Sequence, residues 1–195
     1  MWPWEHAIFA YVLYSLSCRL FGTRPSGRAV VGALVIGAVL PDLIDKPLAW
    51  QLGIFETGYA VGHSIFVAVP FSIVAILVAK HRNQLQVGIA FAYGYLSHLL
   101  GDLIPPLLRE GEVPIERILW PIAHAPPSHD HGTFVDGVSH YLDVYQEVII
   151  GGEFNLVILM QVAFAVLALG LWIADGYPGV RDGDRNLTKM TNRDP

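Results

Sequence analysis

Charged residues are scarce in this chain. They make up 15% of its 195 residues, against roughly 25% in an average soluble domain. Hydrophobic residues make up 53%, and the mean hydropathy is +0.47. The shortage is uneven, because long stretches carry no charge at all. This composition argues against a water-soluble domain and predicts an integral membrane protein, with the lipid bilayer as its surroundings.

Other absences narrow the functional classes. Cys18 is the single cysteine, which excludes an intramolecular disulfide and a metal site built from thiolates. The net charge of -5 argues against nucleic acid as a partner, because such binding usually needs a basic face. The sequence contains no phosphate-binding loop, nucleophile elbow, HExxH motif or dinucleotide fingerprint. The N-terminus lacks the basic region of a secretory signal, so we expect its apolar stretch to be kept as a helix.

Apolar segments are what the chain has in abundance. The predicted fold is all-α: a multi-pass transmembrane bundle of about five helices in a single domain, residues 1–175. A helix needs about 20 mostly apolar residues to cross a bilayer. The last segment meets this length, and the second does so only if it continues through Pro41. The predicted helices cover residues 6–21, 29–40, 62–79, 87–104 and 154–174.

Lysine and arginine predict the orientation of the bundle, since loops on the cytoplasmic side carry an excess of both. They surround the first and third connections, at Arg19, Arg24, Arg28, Lys80 and Arg82. We therefore expect a protein of the cell membrane with its N-terminus outside. The polar tail, residues 176–195, is expected to be cytoplasmic and disordered.

A long connection, residues 105–153, is rich in proline and is expected to form an ordered cap at the membrane interface. His124 follows the apolar run Leu-Trp-Pro-Ile and is a further candidate metal ligand. We expect His129 and His131 to lie in a solvated loop, and His140 to be structural.

Histidine and aspartate gather at the end of the bundle opposite the basic connections. Two pairs lie three and four residues apart, a spacing that places each pair on one helical face. Imidazoles and carboxylates from several helices are the usual components of a metal site inside a bundle. With no thiolates available, Zn²⁺ is the expected metal and Mn²⁺ the second choice. Taken singly, each residue also has a structural explanation, as a turn residue or a hydrogen-bonded pair. The group comprises His6, Asp42, Asp45, His63, His98 and Asp102.

The order of these motifs resembles the membrane-bound metal-dependent hydrolases, also described as LexA-binding, inner-membrane-associated hydrolases. The matching blocks are the early His6, GALVIGAVLPDLID, GHS, GYLSHLLGDLI and WPI. The resemblance implies a divalent-metal hydrolase, distantly similar to zinc-dependent phospholipase C. By that likeness the metal ligands are His6, Asp42, His63, His98 and Asp102, with Asp45 beside them.

The chain also departs from the family pattern. The block HRGxTHS is usual in the family, and here Gly58 and Tyr59 stand in place of its first histidine and its arginine. The acidic block is stretched and lacks its histidine. Three outcomes follow from this: a mononuclear site, a site completed by His124, or a homologue without activity.

The leading functional hypothesis is a metal-dependent hydrolase of a phosphoester or lipid ester at the outer membrane interface. Asp42 and Asp45 are the candidate catalytic carboxylates, with Asp45 either orienting a ligand or acting as general base. One alternative is an ion- or proton-coupled transporter that uses the same groups. Another is a non-catalytic membrane protein with a vestigial site.

Overall fold

The computed structural model describes residues 3–127 and 156–180, together with positions 135–136, 139, 142–143 and 146. These residues form α-helices and no strand, which confirms the all-α prediction for this part of the chain. Two short elements, a π-helical turn at Pro47–Gln51 and a 3-10 turn at Ile115–Arg117, accompany the helices. The helices are α1 (Pro3–Leu20), α2 (Arg28–Lys46), α3 (Ile65–His81), α4 (Leu85–Glu110) and α5 (Leu156–Ala174).

Each predicted segment lies on one helix, but some boundaries differ. Helix α2 passes through Pro41 and ends at Lys46, so both of its aspartates belong to the helix. Helix α3 begins at Ile65, and His63 therefore precedes it instead of opening it. Helix α4 continues to Glu110, six residues into the segment predicted to be a cap.

Helices α2 and α4 run in parallel and pack at very short range. A Cβ atom on Gly94 would lie 2.1 Å from the carbonyl oxygen of Leu34, and one on Gly37 would lie 2.3 Å from that of Phe91. Neither position can accept a side chain without moving a backbone, since real atoms do not approach so closely. Small residues at such contacts are typical of helix packing in membranes. This contact brings the C-terminal turns of α2, which carry Asp42 and Asp45, beside the C-terminal half of α4.

The other helices surround this pair. Helix α1 crosses both α2 and α4, α3 packs against α4, and α5 packs against α1. The largest apolar cluster lies where α1, α2 and α4 meet, around Tyr11, Leu34 and Ala90. Helix α1 runs antiparallel to α4, and its N-terminal turn lies beside the C-terminal half of that helix.

The opposite end of the bundle is held by polar contacts to a buried carboxylate. Asp175, just after α5, accepts hydrogen bonds from Tyr11 Oη (2.9 Å) and Ser15 Oγ (2.6 Å) and pairs with Arg19 Nη2 at 2.5 Å. Arg28 donates to the carbonyl oxygen of Gly179, so residues 176–180 form a packed turn, where the sequence predicted the start of a disordered tail. The remainder of that tail, residues 181–195, lies outside the described residues.

Membrane-crossing capacity varies among the helices. Within the described residues, one helix is long and apolar enough to span a bilayer, from Leu85 to Leu108 in α4. Two shorter apolar stretches accompany it, Ile65–His81 and Leu159–Ala174. Both carry large apolar side chains on their outer faces, among them Phe66, Phe71, Leu77, Val162, Val166 and Leu169.

Candidate metal centre

Four side chains meet at the end of the bundle where α2 and α4 terminate. They come from α2 (Asp42), from the segment before α3 (His63) and from α4 (His98 and Asp102). One ligand-type atom from each lies within 4.8 Å of the others, and all four residues are buried. The group can therefore hold a metal ion.

The distances within the group are those of ligands around one small cation. The two Nε2 atoms of His63 and His98 lie 3.1 Å apart. His63 Nε2 is 3.5 Å from Asp42 Oδ1 and 3.4 Å from Asp102 Oδ2, and His98 Nε2 is 3.7 and 3.5 Å from the same oxygens. Ligands placed tetrahedrally at about 2.0–2.2 Å from a zinc ion are separated by about 3.3–3.6 Å. These five distances, between 3.1 and 3.7 Å, are close to that spacing, so the group has a size that suits a zinc ion.

Hydrogen bonds on the far side of each ring fix where the imidazole protons are. His63 Nδ1 lies 2.8 Å from Asp45 Oδ2, and His98 Nδ1 lies 2.6 Å from the carbonyl oxygen of Ala38. Both partners are acceptors, so each Nδ1 carries the proton and donates. In the neutral rings, both Nε2 lone pairs then point toward each other and toward two carboxylates. A cation between them removes this repulsion.

Asp45 supports His63 and does not belong to the group of four. Its oxygens accept hydrogen bonds from the backbone N–H groups of Ala60 (2.8 Å), Gly62 (2.8 Å) and His63 (3.0 Å), and from the His63 ring. Three of these bonds, including the one from the His63 ring, go to Oδ2, and one goes to Oδ1, so the oxygen beside His63 is fully occupied. Of the two roles predicted for Asp45, the geometry favours orientation of a ligand over a general base.

Asp42 divides its two oxygens between different partners. Oδ2 is 2.6 Å from Lys46 Nζ, one turn along α2. Oδ1, the oxygen that faces the two histidines, is buried and has no hydrogen-bond partner. An orphaned buried carboxylate oxygen is costly unless it binds something. The unsatisfied oxygen thus lies where a cation would be coordinated.

His6 lies beside this group, and it is not among the four residues that form it. Its ring is fully buried and stacks on that of His98, with centroids 3.7 Å apart and 21° between the planes. Its Nε2 is 3.2 Å from Asp102 Oδ1, the oxygen turned away from the other two histidines. Neither ring nitrogen makes a hydrogen bond, so the 3.2 Å contact is an electrostatic one. The geometry favours orientation of Asp102 over direct ligation.

The backbone around Asp102 shows how α4 compensates for the second of its two consecutive prolines. The carbonyl oxygen of Asp102 would normally accept from the N–H of residue 106, and Pro106 has none. Arg117, in the 3-10 turn, donates from Nη1 to this oxygen at 3.2 Å. Its guanidinium also lies 4.9 Å from the ring centre of Tyr59, which packs edge-on against His63 at 4.8 Å. Arg117 therefore joins two segments that carry ligand-type residues.

The other candidate histidines are not part of the group. His124 is exposed, and the four-residue arrangement contains no atom of it. His129, His131 and His140 lie outside the described residues. His81 ends α3, which runs away from the site.

Two contributors lie outside the residues predicted from the sequence. Arg117 is one of them, in the segment predicted to be a cap. Glu5, a buried carboxylate next to His6, accepts a 2.6 Å hydrogen bond from Gln161 of α5 and was also missed. The signal was present for this pair, because each is a polar residue in an otherwise apolar helix.

Comparison with known proteins identifies the family. Residues 1–177 match the family of YdjM inner membrane proteins. The chain belongs to that family. It is therefore a protein of the inner membrane, which confirms the predicted membrane location in its general form. No curated protein and no solved structure matches the chain.

Proposed function

We propose that this chain is a multi-pass membrane protein with a metal-dependent hydrolase site at the outer membrane interface, acting on a phosphoester or a lipid ester. The observation that carries the proposal is the buried group Asp42, His63, His98 and Asp102. Its atoms are separated by distances that suit one metal ion, and its two histidines direct lone pairs at one point. Nitrogen and oxygen donors without thiolates favour Zn²⁺, with Mn²⁺ as the second candidate.

The charge of the group supports a divalent cation over a shared proton. Three aspartates, at positions 42, 45 and 102, are at most 4% exposed. Burying a carboxylate without a counter-ion costs several kcal/mol, and of these three Asp42 is paired with Lys46. A proton between the two Nε2 atoms would relieve one contact only, whereas a central cation contacts both nitrogens and both carboxylates. A metal bound here would supply the Lewis acidity that polarises an ester or phosphoryl oxygen and activates water.

The residues around the metal would have distinct tasks. Asp45 and the Ala38 carbonyl hold the two histidine rings in the tautomers that ligation needs. His6 orients the second carboxyl oxygen of Asp102, and Lys46 holds the second oxygen of Asp42. Asp42 would bind the metal through Oδ1, and its other oxygen lies beside the partly exposed Lys46. Asp42 is therefore our candidate for direct contact with a substrate.

Membrane placement rests on the exterior of the helices and on the two ends of the bundle. Large apolar residues face outward along α3 and α5, as lipid-facing helices require. Arg19, Arg24 and Arg28 lie at the end opposite the metal centre, which favours a cytoplasmic location for them. The metal centre then faces the outer side, as the sequence predicted.

Transport is the second candidate function, because aspartates and histidines inside a membrane also form relays for ions. It is less well supported, since the polar groups do not continue along the bundle. In the described residues between the two ends, the contact of α2 with α4 is made by glycine, alanine and apolar side chains.

The experiment that tests the proposal is metal analysis of detergent-purified protein, combined with a screen of phosphoesters and lipid esters. We expect about one equivalent of zinc or manganese per chain, and hydrolysis that stops when a chelator removes it. The matched control is Lys80→Met, a charge change at the basic end. Wild-type protein that binds no divalent metal, and that behaves in every assay like a His98→Ala variant, would refute the proposal.

A further inference from the structure

Two basic side chains, Lys46 and Arg117, contact residues of the metal centre. The proposed function gives neither of them a part in binding substrate. Lys46 Nζ lies 2.6 Å from Asp42 Oδ2, and its side chain is 21% exposed. Arg117 donates to the backbone carbonyl oxygen of Asp102 and is also partly exposed. Each therefore extends from the buried group toward the surface. Lys46 contacts Asp42 and Arg117 contacts the main chain of Asp102, so both cations lie beside the same centre.

The packing around each cation keeps its charge near the centre. Lys46 has its ammonium 5.8 Å from the ring centre of Trp50, and its stem runs beside Gly58, where an added Cβ would lie in ordinary contact, 3.5 Å from Lys46 Cγ. Arg117 lies over the ring of Tyr59. Aromatic faces attract such cations and restrict where they can go. Each cation therefore has an aromatic ring beside it that favours its position near the centre.

A charge count shows what these cations add. The group of four and the residues that hydrogen-bond it contain three carboxylates. A divalent metal and Lys46 balance them, and Arg117 then leaves one positive charge in excess. A site with this excess at low dielectric attracts an anion and disfavours a neutral ester. Arg117 uses one of its five N–H donors on Asp102, and the planar fork of an arginine suits a tetrahedral oxyanion.

We infer that Lys46 and Arg117 bind the phosphate of the substrate on the exposed side of the metal centre. This inference rests on the proposed function and narrows it, because it selects a phosphoester over a carboxylic ester. Lys46 acts as a point charge beside Asp42, and Arg117 provides directed donors beside Asp102. The recognised group is a phosphate, whether it belongs to a lipid headgroup or to a soluble phosphomonoester.

The test measures binding of inorganic phosphate to metal-loaded, detergent-purified protein by calorimetry, with metal content determined on the same samples. We expect Lys46→Met and Arg117→Gln each to weaken phosphate binding by about tenfold, the usual effect of removing one hydrogen bond to a charged group. Arg117→Lys, which keeps the charge, should lose less. The matched control is Lys80→Met at the basic end, where phosphate affinity should stay within about twofold of wild type.

Several outcomes would overturn the inference. It fails if the metal-loaded wild type does not bind phosphate, or if both neutral variants keep full affinity with full metal content. Should Lys46→Met lose its metal, Arg117→Gln decides, because Arg117 touches Asp102 only through a main-chain oxygen. Protein that binds metal and phosphate but hydrolyses nothing would refute the proposed function and leave the phosphate site standing.

A competition arm separates the two sources of phosphate. Glycerol phosphate and a short-chain phosphatidic acid in mixed micelles are each titrated against bound inorganic phosphate. Tighter competition by the phosphatidic acid identifies a lipid headgroup, and equal competition identifies a soluble phosphomonoester. Failure of both to compete overturns the inference.

Discussion

The two ends of the helix bundle both bury carboxylates, but they differ in how those carboxylates are satisfied. At the basic end, both oxygens of Asp175 have partners, from Tyr11, Ser15 and Arg19. At the end that holds the candidate metal centre, Asp42 Oδ1 and both nitrogens of His6 have no hydrogen-bond partner. The basic end therefore satisfies its carboxylate with protein groups alone. The other end keeps buried polar atoms that no protein group satisfies, which distinguishes a binding site from a structural contact.

The largest expected effect comes from removing a ligand. His98→Ala deletes one of the four ligand-type groups and leaves two carboxylates close together in a buried space. We expect metal affinity to fall by more than about a hundredfold, since loss of a supporting residue alone costs about 10–100-fold. Metal content after dialysis against a weak chelator measures this. Retention of a full equivalent would show that His98 is not needed to hold the metal and would contradict its role as a ligand.

The second prediction concerns the contact that assembles the centre. Gly94→Ala places a methyl group 2.1 Å from the Leu34 carbonyl oxygen and must separate α2 from α4. We expect a loss of about 3 kcal/mol in stability, with loss of the metal, in thermal unfolding and metal analysis. Gly32→Ala in α2 is the matched control, because nothing lies within 4 Å of its added methyl. Equal behaviour of the two variants would contradict the close packing.

A smaller effect is expected at the residue that orients a ligand. Asp45→Asn keeps the size of the side chain but replaces an acceptor of the His63 Nδ1 proton with a group that can also donate. We expect metal affinity to fall by about 10–100-fold, with the fold intact by circular dichroism. Affinity measured by competition with a coloured chelator checks this. An unchanged value would mean that the backbone alone positions His63.

The smallest effect on the metal is expected at the basic end. Asp175→Asn weakens three contacts to a buried carboxylate, and we expect a stability loss of about 1–3 kcal/mol. Metal content and affinity should stay at wild-type values, because the metal centre lies at the other end of the helices. Thermal unfolding with parallel metal analysis checks both. A variant that lost its metal would show that the two ends are coupled.

The sequence predicted the helices and the gathering of polar residues for physical reasons that act locally. Apolar segments must bury or face lipid, and arginines mark one end of the bundle. The three- and four-residue spacings then align aspartate and histidine on helical faces. Four of the predicted residues come together within 4.8 Å, and their binding of a metal stays a prediction.

Other features depend on contacts between distant segments, which no local pattern records. The continuation of α4 past Pro106 is one, because the missing donor to Asp102 is replaced by Arg117, fifteen positions away. The supporting role of Asp45 is another, since it depends on a loop that folds back over α2. In both cases a hydrogen bond across the fold decides the outcome.

The chain that follows α4 is fastened to the start of α3. Ile65 N–H donates to the carbonyl oxygen of Ile118 at 2.9 Å, and Ser64 Oγ donates to that of Trp120. These bonds attach the segment that follows α4 to residues within two positions of His63. If this segment moved to admit a large molecule, it would displace the imidazole of His63 in the candidate metal centre. Entry from the side, between helices, would leave that imidazole undisturbed and would suit a substrate that is already dissolved in the bilayer.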